Sequence, residues 1–428
     1  MIPAARLSAA IEILADIGAA RRPAADALRD WGRARRYAGS KDRAAIAAIV
    51  YDGLRRRASA SWIMGADTPR AMALGALRLA RGQSVDAIAA LCTGEGHAPA
   101  PLTSEERARL ESADLSGAPA HVAGDYPEWL APHFARAFGD EAAAEGRALA
   151  ARAPIDLRVN RLKGTRDKAR AALAHLNPQN TPISPDGLRI LVGEDGRAPA
   201  LTAEPAFLKG LVELQDESSQ LAALLAGAKP GEQALDLCAG GGGKTLALAA
   251  VMDNRGQLYA TDADARRLAP IHERLTRAGV RNAQVRAPRG AQDVLADLEE
   301  RCDLVLIDAP CTGVGAWRRN PDAKWRVRPG ALEQRMADQD RVLARGARFV
   351  KSGGRLVYVT CSLLREENED RVAAFLAAHD DFSALAMDDV AQQAGLSGIT
   401  PASGRPGVTL RTSQTGGDGF YVCVMKRR

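Results

Sequence analysis

At 428 residues, 46% of them hydrophobic and 26% charged, the chain has the composition of a soluble protein of two or three domains. No apolar run approaches the roughly 18 residues of a membrane span. The six cysteines form no CxxC pair and no disulfide-like spacing, which argues against a disulfide scaffold and a zinc site.

The formal charge of +6 lies in residues 1–100, where 15 Lys and Arg face 9 Asp and Glu; the remaining 43 of each sign cancel. A polyanionic partner is expected at this N-terminal quarter. Glu12 and Asp16 interrupt the first apolar stretch, which reads as an amphipathic helix rather than a signal peptide. A cytoplasmic protein is expected. Helical spacing recurs in Leu7–Ile17 and Ala44–Leu54, and Arg55-Arg56-Arg57 follows where a helix C-terminus favours cations. The small, Ala-rich stripe predicts a bundle of tightly packed short helices to about residue 92. Thr93–Pro127 is rich in Gly, Pro, Ala and Ser and reads as a linker with one short helix.

Next, Asp156–Arg161 alternates like a strand, Arg166–Leu176 is helical, and Gly187–Leu191 and Leu211–Leu214 are strand-like, a small α+β module. From Gln215 the pattern becomes strand–helix alternation, with strands at Ala234–Cys238, Gln257–Thr261, Ala283–Arg286, Leu304–Ile307, Arg355–Thr360 and Phe420–Met425. That is the mark of a doubly wound α/β sheet. The expected domains are 1–128, 129–214 and 215–428.

The first of these strands runs into Cys238-Ala239-Gly240-Gly241-Gly242-Gly243-Lys244 and then a helix. Glycines let backbone N–H groups approach a ligand, and a helix N-terminus favours negative charge. The loop is too short for a P-loop, because Cys238 stands where that motif needs glycine. Asp262, ending the next strand, has the position of an acid that accepts both hydroxyls of a ribose. The set describes a nucleoside-cofactor site, of the kind used for NAD(P) or S-adenosylmethionine.

Two cysteines end strands, Cys311 in Asp308-Ala-Pro-Cys-Thr-Gly and Cys361 in Thr360-Cys-Ser362. A thiol is the right nucleophile for an electron-poor ring carbon, and its addition to C6 of cytosine makes C5 able to accept a methyl group. Beyond Cys311, Trp317, Arg318, Arg319, Lys324 and Arg326 form a basic, aromatic strip suited to phosphates and unpaired bases. The six histidines lie outside these motifs. Gln215–Ser218 reads as a helix cap or a substrate contact, and Gly417-Asp418-Gly419 as a turn.

With Gln215–Gln220, Leu304–Arg326, Tyr358–Glu369 and Asp418–Tyr421, the chain resembles the Sun/Fmu (RsmB-type) RNA cytosine-5 methyltransferases over about residues 155–428. The N-terminal helices are similar to that family's NusB-like RNA-binding bundle. The resemblance implies a class I, Rossmann-like methyltransferase domain behind an α+β module and an all-α NusB-like bundle. It implies Cys361 as the nucleophile, Cys311 as the thiol that assists release, and Asp308 as holder of the cytosine edge and part of the cofactor site. Cys238–Lys244 and Asp262 would hold S-adenosylmethionine, and Asn160 belongs to the shared small module. RNA, expected to be ribosomal, is the implied partner, with no metal, no membrane and a monomeric chain.

Two positions depart from the family: Gly241 replaces a usual proline, and Arg286-Ala-Pro-Arg289 stands where an acid near the adenine is common, leaving Asp293 the nearest carboxylate. The rivals are a non-catalytic RNA-binding assembly factor and an NAD(P)-dependent oxidoreductase; neither the Asp-Ala-Pro-Cys nor the Thr-Cys-Ser motif has a task in hydride transfer.

Overall fold

Helix formers and small residues dominate the first third of the chain, and that part is helical throughout. The computed structural model describes residues 1–193, 198–290, 292–402 and 404–428. The chain divides into two compact units. The first is built from Met1–Arg152 and, from far downstream, Trp317–Val327. Its helices Pro3–Ala20, Ser40–Arg55 and Pro69–Leu79 bury Leu7, Leu14, Ile46, Val50 and Leu74 against one another. Their small residues permit close approach: a Cβ on Gly75 would lie 2.7 Å from that of Ala60. Helix Ser104–Ser112, in the expected linker, starts with a Thr103/Glu106 capping box and buries Leu110 in this core. Residues 129–152 also belong to this unit.

The second unit takes in Ala153–Leu191, Pro199–Ala316 and Arg328–Arg428. It opens with an antiparallel sheet of order β2-β3-β1-β4, formed by β1 (Ile155–Val159), β2 (Gln179–Asn180), β3 (Gly187–Ile190) and β4 (Val212–Leu214). The larger sheet contains β5 (Gln233–Asp236), β6 (Gln257–Ala260), β7 (Ala283–Val285), β8 (Cys302–Asp308), β9 (Val350–Thr360), β10 (Phe382–Ala384), β11 (Val408–Leu410) and β12 (Phe420–Arg427). Its order is β10-β12-β9-β8-β5-β6-β7, with β11 paired to β12. β5 to β9 are parallel, whereas β12 runs antiparallel to β9. The apolar runs Leu304–Ile307 and Leu356–Val359 are buried, as strands covered on both faces must be.

After β5 the chain builds outward through β6 and β7, then returns to place β8 on β5's other side. The strand order reverses there, and open α/β sheets bind ligands beside such a reversal, beyond the carboxyl ends of the strands. Asp236, Asp308 and Thr360 close those ends. Among the described residues, no helix is long and apolar enough to cross a membrane.

Candidate active site

The glycine loop leaves β5 and turns into helix Gly243–Val251, with Gly240 and Gly242 in the left-handed region at φ 50° and 84°. Asp262, at the end of β6, accepts the Gly240 N–H at 2.9 Å and the Asp264 N–H at 2.9 Å. The expected acid therefore anchors the loop it faces. At Gly241 the carbonyl accepts from Arg274, and that guanidinium also pairs with Glu213 at 3.3 Å. A side chain here has little room, since a Cβ would lie 2.9 Å from Arg274 Nη1. An arginine thus orders the loop where a rigid ring is usual.

Two acceptor oxygens beside this loop are buried without a hydrogen-bond partner, Asp236 Oδ1 and Gln215 Oε1. Gln215 Nε2 lies 3.6 Å from the place of a Cβ on Gly243. Asp236 Oδ2 accepts from Thr245 Oγ1 at 2.7 Å, and burial pushes its carboxyl up to about 7. Unfilled acceptors around a glycine loop suit a ligand that brings an ammonium group, and S-adenosylmethionine carries one. At the end of β7, Arg286 covers the Tyr259 ring at 4.5 Å and pairs with Asp297, while Asp293 lies 3.7 Å from Arg345 and 3.8 Å from Arg348.

Lys244 is buried, and its Nζ donates to Asp308 Oδ2 at 2.7 Å. The Asp308 side chain keeps 35% of its exposure, so the acid is oriented yet open to a ligand. Three residues on, Cys311 Sγ lies 3.3 Å from Cys361 Sγ. The strands β8 and β9 are in register, pairing Asp308 with Val359, and this brings the two loops together. The hydrogen bond with Cys361, then burial, raises the Cys311 thiol well above its usual range. Cys238 is also pushed up, by burial first and then by Asp236.

A residue that sequence reasoning passed over joins these loops. Glu367 is fully buried, and its carboxylate accepts the Thr312 N–H at 2.8 Å, Gln339 Nε2 at 3.0 Å, and the hydroxyls of Thr312 and Ser362. The only prior signal was its place in an acidic run at a helix start. Gly315 packs against the last turn: its N–H donates to Cys361 O at 3.0 Å and its carbonyl accepts the Gly419 N–H at 2.8 Å. Asp216 caps helix Glu217–Leu225 through the Ser218 N–H at 2.8 Å and also accepts the Asp418 N–H at 3.0 Å, so Gln215–Ser218 includes a true cap.

The basic strip is divided. Trp317 is buried in the helical unit, stacked on Phe134 at 6.2 Å, and Arg318 is 4% exposed. Lys324 is 1% exposed, with Nζ donating to Arg55 O at 2.8 Å and Asp125 O at 2.6 Å. Trp325 Nε1 donates to Leu54 O at 2.7 Å. The expected RNA contacts of Trp317, Arg318 and Lys324 give way to packing, because backbone carbonyls and aromatic faces of the bundle enclose these side chains. Arg319 and Arg326 are exposed.

Residues 222–426 match the family described as 16S rRNA methyltransferase RsmB/F, and residues 126–194 match the RsmF/B-like ferredoxin-like domain. A probable ribosomal RNA small subunit methyltransferase B of Synechocystis is 32% identical over 308 residues, 71% of this chain and 67% of that protein. The ribosomal RNA small subunit methyltransferase B of Sodalis glossinidius is 35% identical over 303 residues, 70% of this chain and 65% of that protein. The chain thus spans about two thirds of the length of these relatives. A solved methyltransferase homolog protein from Pyrococcus horikoshii superposes with a TM-score of 0.60 at 28% identity, covering 72% of this chain and 98% of its own.

Proposed function

The chain belongs to the RsmB/F family of 16S rRNA methyltransferases, and from that premise we propose that it methylates C5 of a cytosine in ribosomal RNA through a covalent adduct on Cys361. The observation that carries the reading is the pair of thiols 3.3 Å apart beyond adjacent parallel strands, with a lysine-held carboxylate beside them. S-adenosylmethionine, when bound by Cys238–Lys244 and Asp262, supplies the methyl group as an electrophile.

Asp308 accepts from the cytosine N4–H₂ edge and fixes the base, which must leave its stack to reach the strand ends. The Cys361 thiolate adds to C6, and the C5=C6 electron pair becomes available at C5, where the methyl group is received. The C5 proton then departs to a base, the double bond re-forms, and the C6–S bond breaks to return the Cys361 thiolate. Cys311 Sγ lies within hydrogen-bond distance of the attacking sulfur, 3.3 Å away. Cys311 serves release, as the base that receives the C5 proton while the C5=C6 bond re-forms and the C6–S electron pair returns to Cys361.

Arg319 and Arg326 are the proposed phosphate contacts of the loop, and the basic helical unit, NusB-like in pattern, the proposed dock for structured RNA. With S-adenosylmethionine and a small-subunit rRNA transcript, Cys361→Ala is expected to abolish 5-methylcytosine, and Cys311→Ala to accumulate a protein–RNA adduct on a denaturing gel. Equal adduct in both variants, or none in either, overturns the roles.

A further inference from the structure

Arg158, on β1, is 6% exposed, and among the described residues no Asp or Glu forms an ion pair with it. Its Nε and Nη1 are buried and donate no hydrogen bond. Those two nitrogens carry three of the five N–H groups of a guanidinium. A buried charge is costly unless it is both paired and hydrogen-bonded. The carboxylates that face Arg158 are already engaged. Glu213 stands directly opposite it on β4, yet pairs with Arg274 at 3.3 Å and Arg277 at 2.7 Å. Asp186 pairs with Arg161 at 2.7 Å. Four arginines therefore share two carboxylates, and two positive charges are left unmatched.

Beside the unmatched guanidinium there is space. Arg158 and Arg161 line a cavity of about 10 Å³, room for one particle of water or halide size. Asp186 also lines it, with its charge engaged by Arg161. The far walls come from helix Glu217–Leu225, at Gln220 and Leu224, and from helix Gly243–Val251, at Val251. A second cavity of about 600 Å³ shares Arg161, Leu224 and Val251 with the first. Its lining adds Lys229, Arg355 and Lys426 and, among the described residues, no Asp or Glu. A cleft lined by charges of one sign concentrates the opposite ion, so the wider cavity is an approach for anions.

We infer that the inner cavity is a binding site for a small inorganic anion of the size and charge of chloride, held by the guanidiniums of Arg158 and Arg161. Such an ion accepts from the unpartnered N–H groups and brings the missing negative charge. A water molecule fills the same space but leaves the charge unmatched. The bound ion joins β1 of the small module to the helix that follows the glycine loop, two parts of the second unit that meet at this cavity.

The test is the melting midpoint of the full chain, followed by calorimetry in sodium chloride and in sodium gluconate at matched ionic strength. Gluconate screens charge equally but is too large for the cavity. Wild type is expected to melt higher in chloride, by about 3 °C for each tenfold rise in chloride above its dissociation constant. Arg158→Met should lose that difference, whereas Arg255→Met, at an arginine whose side chain is 67% exposed, should keep it. No chloride response in wild type, or an equal response in Arg158→Met, overturns the inference. If Arg158→Met does not fold, wild-type crystals soaked in bromide decide. An anomalous peak against Arg158 and Arg161 upholds the site, and a water molecule alone in that place overturns it.

Discussion

Gly315→Ala isolates the packing that holds the Cys311 loop. Gly315 does not need its glycine for a left-handed backbone; it needs it for space. A Cβ there would lie 1.9 Å from Gly419 O, and real Cβ contacts essentially never fall below 3.0 Å. The loop and the final turn must therefore part by about 1.1 Å, the difference of those two distances. Gly315 also accepts the Gly419 N–H at 2.8 Å and donates to Cys361 O at 3.0 Å, so a displacement at this residue reaches the loop of Cys361. Overpacking of this kind costs about 1–3 kcal/mol, and a shift of about 1 Å in a catalytic geometry costs on the order of 100-fold in rate. The assay pairs a urea transition followed by far-UV circular dichroism with turnover of S-adenosylmethionine on rRNA transcript. The expected result is a lowered midpoint together with a kcat loss of about 100-fold and S-adenosylmethionine binding close to wild type. A variant with wild-type midpoint and kcat would show that the loop does not depend on this contact.

Asp236→Asn tests the buried acid: burial raises it from 3.8 to about 7, so the folded state holds the extra proton between pH 4 and 7 and apo stability falls as pH rises through that window. Calorimetry should find variant and wild type melting alike below pH 4 and the variant higher at pH 8, with a ceiling of about 4 kcal/mol; titration should find its S-adenosylmethionine affinity weakened about tenfold. Lys324→Met tests the opposite sign. Burial lowers Lys324 to about 7, so between pH 7 and 10 the unfolded chain holds the proton and stability climbs with pH, by at most about 1.4 kcal/mol per unit. The variant should flatten that climb, and tryptophan fluorescence reads it selectively because all five Trp lie in the helical unit. Asn160→Ala removes donors at 2.9 Å to Gly210 O and 2.8 Å to Ala278 O, which should lower stability by about 2–4 kcal/mol in a urea titration.

The parallel strands were legible because each is a continuous apolar run that stops at a chemical motif, as Leu304–Ile307 stops at Asp308. β10 and β11 were not: three residues each, they form only by pairing with β12, and nothing local announces them. The glycine loop, Asp262 and the two cysteines stand where their spacing put them. Composition misled at Trp317–Arg326, because a lysine's burial depends on acceptors elsewhere in the chain, and those of Lys324 are 269 and 199 residues away. Glu367 was invisible for the same reason. In Glu366-Glu367-Asn368-Glu369-Asp370 the sequence gives three glutamates of equal standing, and only folding buries one completely while pointing it at Thr312 and Ser362.

The helical unit is discontinuous in sequence, and that affects how the protein is made. Its N-terminal helices leave the ribosome first, but Trp317, Lys324 and Trp325, which fill its interior and hydrogen-bond to Arg55, Asp125 and Leu54, are translated some 165 residues after Arg152. At typical synthesis rates of about 5–20 residues per second, the bundle waits roughly ten to thirty seconds with the seat of two tryptophans open. During that interval β1 to β8 emerge. The nascent bundle is therefore a client for holding chaperones, and a fragment ending at Arg152 would keep that exposed seat permanently.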